Sequence, residues 1–273
     1  MQRREFLVAS SALGALPLIQ NASANQPTTD RSRDYYELRT YGLETTAQRQ
    51  AFDRFAQEAA IPALNRLGIS PVGVFYSAEE PGNEGAKVAG KEVNNVYVLL
   101  THPSIESVAT LTQRLTSDQT FLQQGAEWLD QPAERPAYQS MESSLFYAFA
   151  GMPNLETPVK SPERIFQLRI YQSPSVKTGQ KKIEMFNDAG EIDIFRRVGL
   201  NPVFFGEALV GSMMPNLTYM LGFESEQQQT EAWKTFIADP QWKQLSAMEE
   251  YANEKILSGI TNLMLKPASY SQI

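Results

Sequence analysis

The stretch Tyr36-Glu37-Leu38-Arg39-Thr40-Tyr41 returns in altered form as Phe166-Gln167-Leu168-Arg169-Ile170-Tyr171. Outward from it, the agreement continues in the same order. Phe52, Phe55, Leu64 and Leu67 fall opposite Ile183, Phe186, Phe195 and Val198 after a one-residue shift. Arg66-Leu67-Gly68-Ile69-Ser70-Pro71-Val72 meets Arg197-Val198-Gly199-Leu200-Asn201-Pro202-Val203. Val96-Tyr97-Val98-Leu99 matches Thr218-Tyr219-Met220-Leu221, and Leu115, Asp118 and Phe121 sit opposite Phe236, Asp239 and Trp242. One match of this kind would be noise. A colinear series indicates a duplicated module of about 110–130 residues, an ordinary domain size.

Each copy reads strand, helix, strand, strand, helix, strand. The opening strands alternate and carry aromatic and branched residues, and the first helix, over 45–67, has apolar residues at helical intervals. Pro62 should interrupt its last turns. Gly68 and Gly199 stand where left-handed helix caps are wanted, each with a proline just beyond. Strands over 70–77 and 95–101 flank a Gly-rich excursion at 79–94, which the second copy shortens to a turn at 211–216. Second helices are expected over 104–117 and 224–237. Short helical pieces around Trp128 and Trp242 follow, with closing strands over 143–149 and 256–265. A Pro-rich polar segment, 150–163, links the copies.

This order is that of a ferredoxin-like βαββαβ module, which covers one sheet face with helices and leaves the other needing a partner. Two tandem modules, 35–149 and 164–273, can supply that partner internally. The expected class is therefore α+β, a pseudo-dimeric α+β barrel.

The 273 residues are 42% hydrophobic and 20% charged, ordinary globular usage, and the net charge of −7 speaks against nucleic acid as a partner. Absence of cysteine and a single histidine exclude thiol chemistry, disulfides and the usual zinc sites, so no metal and no cofactor are expected. At the N-terminus, Arg3-Arg4 precedes an apolar run over 6–19 and then Ala22-Ser23-Ala24. These are the three parts of a twin-arginine export signal over 1–24, with 25–34 as a polar tether. Its removal leaves a mature chain of charge −8 without a membrane span, outside the cytoplasm.

With the opening Glu37-Leu38-Arg39-Thr40-Tyr41 and the Gly-x-x-Pro-Val strand entries, the chain resembles the NIPSNAP family, within the dimeric α+β barrel group. That resemblance spans both copies and implies the same barrel.

Alternation splits the repeated strand into two faces. Tyr36, Leu38 and Thr40, like Phe166, Leu168 and Ile170, suit packing beneath helices. Glu37, Arg39 and Tyr41, with Gln167, Arg169 and Tyr171, are then expected to face the barrel interior. There the two Arg–Tyr pairs would line a pocket for a small anionic or carbonyl-bearing molecule. The competing reading is that the arginines close structural ion pairs with Glu37 and nearby backbone. His102 ends a strand, with Glu224 near the matching place in the second copy. In some relatives within the barrel group a His serves as a haem ligand or proton-transfer group. Gly85-Ala86-Lys87-Val88-Ala89-Gly90-Lys91-Glu92 has phosphate-loop spacing, but lies within a hairpin and ends in Glu where a hydroxyl is required. Trp233 and Trp242 read as core, and Glu249-Glu250 as a solvated helix face. The functional expectation is binding of a small molecule or a protein partner without catalysis, with a homo-oligomer left open. The alternatives are a cofactor-independent monooxygenase or isomerase of the barrel group, and haem binding through His102.

Overall fold

Polar caps and helix breakers place the elements in each half. The computed structural model describes residues 32–78 and 95–273. The first half runs β1 (Tyr35–Gly42), α1 (Thr46–Phe55), a π-helical segment (Ala56–Ala60), α2 (Ile61–Arg66), β2 (Val72–Ser77), β3 (Asn95–His102), α3 (Ile105–Thr116), α4 (Gln119–Leu129) and β4 (Ser140–Ala148). The second half opens with β5 (Ile165–Gln172), α5 (Val176–Asn187), α6 (Glu191–Arg197), β6 (Pro202–Val210) and β7 (Asn216–Phe223). It continues with α7 (Glu226–Ala238), α8 (Pro240–Ser246), a 3-10 turn (Glu249–Tyr251), α9 (Asn253–Ile256) and β8 (Gly259–Pro267). The export signal, most of the tether and the Gly-rich segment with its phosphate-loop spacing lie outside the described residues. No helix among the described residues is long and apolar enough to cross a membrane.

Thr45 and Ser175 cap α1 and α5, and Ser104 and Ser225 cap α3 and α7, each accepting a backbone N–H that the helix start leaves unpaired. Asp118 and Asp239 cap α4 and α8, and each also pairs with an arginine from the end of the preceding helix pair, Arg66 and Arg197. Pro62 acts as expected. Its missing N–H falls just after the π-helical segment that separates α1 from α2. Gly68 and Gly199 take left-handed φ values of 78° and 82°. The closing strands differ from expectation by a few residues: β4 starts at Ser140, and β8 only at Gly259 because Ile256 ends α9.

Eight strands close into one antiparallel barrel in the order β1-β3-β2-β8-β5-β7-β6-β4. Each half contributes four neighbours, and the seams are β2 with β8 and β4 with β6. The chain thus has the α+β barrel fold, built from two tandem modules. Helices α1–α4 pack on the outside of one half and α5–α9 on the other.

Which face looks inward is the reverse of the sequence expectation. One core cluster draws on all eight strands and no helix: Tyr36, Leu38, Phe75, Tyr97, Leu99, Phe146, Phe166, Leu168, Phe204, Ala208, Met220, Leu263 and Leu265 belong to it. That cluster is the barrel interior. It is filled with rings, so tightly that a Cβ on Gly206 would stand 2.6 Å from Cβ of Phe146. Two other clusters join sheet to helices, one containing Phe52, Leu64, Val98 and Leu111, the other Tyr171, Phe186, Phe195, Tyr219 and Phe236. Arg39 and Arg169 therefore face the helices, while Leu38 and Leu168 face the interior. A charged side chain inside the barrel would meet only apolar neighbours, whereas the helix side offers polar partners.

Strand register also corrects the repeat. Leu38 pairs with Leu99 and Leu168 with Met220, so Tyr97 corresponds to Thr218 and not to Tyr219. The one-residue slip matters because it exchanges faces: Tyr97 is interior and Tyr219 lies under the helices.

Candidate functional site

Each half holds a polar group between its sheet and its helices, built on the same strand positions. In the first module Arg39 grips Glu37 with both arms of its fork, Nε to Oε1 at 2.7 Å and Nη2 to Oε2 at 3.0 Å. Ser143, opposite Arg39 on β4, donates its hydroxyl to Glu37 Oε1 at 2.7 Å. His102, 0% exposed, lays Nε2 3.4 Å from Glu37 Oε2 and holds Ser107 of α3 through Nδ1 at 3.0 Å. Burial pushes the Glu37 carboxyl up, but His102, Arg39 and Ser143 outweigh it and set its pKa at about 2. Tyr41 belongs to the neighbouring ring cluster with Phe52, Tyr138 and Trp128.

His102 thus has no open approach. Its place in the second module is taken by Phe223, which corrects the expected correspondence with Glu224. Glu224 instead accepts the Ser161 backbone N–H. A haem-ligand role for His102 fits poorly with an imidazole enclosed by Ser107 and Glu37.

The second module keeps the arginine and loses its carboxylate. Gln167 stands where Glu37 does, and both ends of its amide are occupied. Trp233 of α7 donates its indole N–H to Oε1 at 2.7 Å, and Nε2 donates to Asn262 Oδ1 at 2.8 Å. Among the described residues no carboxylate lies within 4.0 Å of Arg169, and its buried Nε has no hydrogen-bond partner. Its guanidinium carbon instead lies 4.8 Å from the ring centre of Trp233 and 5.4 Å from that of Tyr171. Arg169 remains half-buried, and Trp233 beside it likewise.

Deeper under the helices, Lys182 and Glu191 form a closed ion pair at 2.8 Å with 1% and 2% of their side chains exposed. Lys182 Nζ also lies 5.7 Å from the Tyr171 ring, and Tyr219 donates to the Tyr171 hydroxyl at 2.9 Å. Burial holds the Tyr219 phenol well above its ordinary range, with Arg169 pulling the other way. Glu191 is likewise pushed up by burial, against the pull of Lys182. Glu191 is paired directly with Lys182, so half-buried Arg169 has the Tyr171 and Tyr219 phenols as its near polar neighbours and feels the Glu191 charge only at a distance. Among the described residues, no group of acidic and histidine side chains is placed to hold a metal ion.

Glu37, Arg39, Tyr41, His102, Gln167, Arg169 and Tyr171 are the candidates that the sequence singles out. The structure gathers the first four around one module and the last three around the other, on the helix side of each. It adds Ser107, Ser143, Trp233, Asn262, Lys182, Glu191 and Tyr219. Lys182 was visible in principle, since it stands as far from its helix cap as the buried Phe52 does from its own. A lysine on an apolar stripe needs a buried partner.

Comparison with known proteins supports this architecture. Residues 166–272 match the NIPSNAP family model. The matched stretch is the second module from β5 onward, so the Arg169 group lies within the part of the chain that is similar to that family. A protein assigned as a monooxygenase from Lactobacillus acidophilus NCFM shares the fold with a TM-score of 0.55 and 7% identity, over 86% of this chain and 94% of its own. Another assigned as a monooxygenase, from Fusobacterium nucleatum, has a TM-score of 0.51 and 7% identity, over 87% and 93%. A NIPSNAP-like domain protein from Burkholderia xenovorans is 19% identical over 40% of this chain and 89% of its own, with a TM-score of 0.36. No curated protein matches the chain.

Proposed function

We propose that this protein binds a small anionic or carbonyl-bearing molecule through its NIPSNAP domain, without turning it over, after export by the twin-arginine route. The observation that carries the binding reading is the half-buried Arg169 guanidinium with no carboxylate within 4.0 Å among the described residues. A cation placed against two aromatic faces, with its Nε buried and unbonded, has an unmet need that a ligand oxyanion meets. Absence of turnover is favoured because the chain's one histidine is enclosed in the other module and the barrel interior is filled. The monooxygenase-type neighbours share the fold at 7% identity, which says nothing about chemistry here.

Protein purified after native export should carry a small acid or carbonyl compound detectable by mass spectrometry. Arg169→Met should lose it. Retention of the same molecule by that variant would overturn the reading. For the export part, Arg3→Lys with Arg4→Lys should trap the precursor in the cytoplasm, and undiminished protein outside it would remove the twin-arginine route.

A further inference from the structure

We propose that Glu37 is an internal stand-in for the ligand: the second module takes a carboxylate ion across Arg169 as Glu37 lies across Arg39 in the first. This rests on the binding reading above and gives it a chemical class and a stoichiometry.

Strand pairing makes the two places equivalent. Arg39 faces Ser143 across β1 and β4, and Arg169 faces Asn262 across β5 and β8. Glu37 and Gln167 lie two residues before those arginines on the same face. In the first module the fork is filled by two carboxylate oxygens, at 2.7 and 3.0 Å, and Ser143 supplies a further donor to the first. In the second, the residue that could fill it is neutral and tied away by Trp233 and Asn262. The fork therefore holds no carboxylate among the described residues: its Nε is unbonded and its polar neighbours are the neutral Tyr171 and Tyr219 phenols, which a planar two-oxygen anion would outcompete.

The surroundings narrow the class further. Trp233 and Tyr171 flank the guanidinium with ring faces, which suit an acid with a flat apolar body. A dianion would bring a second charge against those rings, and Lys182, the other cation beside Tyr171, is already committed to Glu191. A monocarboxylate is favoured over phosphate. One should bind per chain, since the first module is closed by its own Glu37.

Calorimetric titration with benzoate and, separately, with inorganic phosphate tests this. The wild-type chain should bind one benzoate and bind phosphate more weakly. Gln167→Glu should place a carboxylate on Arg169, weaken benzoate by at least about tenfold, the scale of a lost charge-assisted pair, and raise the Tm of the ligand-free protein. Benzoate binding unchanged in Gln167→Glu would overturn the stand-in, as would two benzoates per wild-type chain. A Gln167→Glu chain that fails to fold would also overturn it, because no room for a carboxylate would then exist beside Arg169. Phosphate binding in place of benzoate would overturn the carboxylate class and leave the anion reading standing. A co-purified acid that is lost in Arg169→Met but not displaced by benzoate would do the same.

Discussion

The two halves of the barrel place an arginine at the same strand position and surround it differently. Around Arg39 the charges close on themselves: Glu37 takes both arms of the fork, with Ser143 and His102 beside it. Around Arg169 the carboxylate is replaced by Gln167, aromatic rings take its place, and the module's buried carboxylate is held by Lys182. The change from carboxylate to amide, accompanied by Asn262 for Ser143 and Phe223 for His102, thus separates a structural ion pair from a cation with spare bonding capacity. Duplication makes the difference readable, because each half serves as the other's reference.

The largest effect is expected at the deepest pair. Lys182→Met strands Glu191 and should cost about 3–5 kcal/mol in urea unfolding at neutral pH. Burial already raises the Glu191 pKa, so the folded state of this variant should hold a proton that the unfolded state releases. Its stability deficit should therefore shrink as pH falls and grow as pH rises above the ordinary carboxylate range. A deficit independent of pH would mean that Glu191 finds another partner.

Arg39→Met comes next. It strands Glu37, but the pair is slightly wet, with Arg39 20% exposed, so the low end of the range applies, about 3 kcal/mol. The same pair gives a smaller, acid-dependent effect. The Glu37 pKa of about 2 lies below its ordinary value of 4.5, so its contribution is complete above about 4.5 and is lost as pH falls through about 2. Wild type should lose on the order of 2 kcal/mol relative to Glu37→Gln across that window. Parallel acid unfolding curves for the two proteins would break the assignment.

Much of this architecture was legible in the sequence. The repeat shows in the order of matched residues, and the break at Pro62 and the left-handed glycines are local features whose physics acts within a few residues. The face assignment was not legible. Alternation shows that Leu38 and Arg39 oppose each other, but not which of them meets the helices. That depends on whether the barrel centre is dry, which is decided by Phe75, Phe146, Phe166 and Phe204 arriving from four different strands. Strands such as Val203-Phe204-Phe205, apolar on both faces, carried the hint that both sides of the sheet are buried. Trp233, Asn262 and Lys182 come from elements whose contact with Arg169, Gln167 or Tyr171 only the fold establishes.

The most direct test of the central claim is to measure unfolding free energy in urea for Arg39→Met and Arg169→Met side by side at neutral pH. Removing Arg169 strands no carboxylate, so its loss should stay under about 1 kcal/mol, against about 3 for Arg39. A gap of about 2 kcal/mol or more, with Arg39→Met the less stable, is the expected result. Equal losses at the two positions would contradict the account, because they would mean that Arg169 is as fully committed to the fold as Arg39.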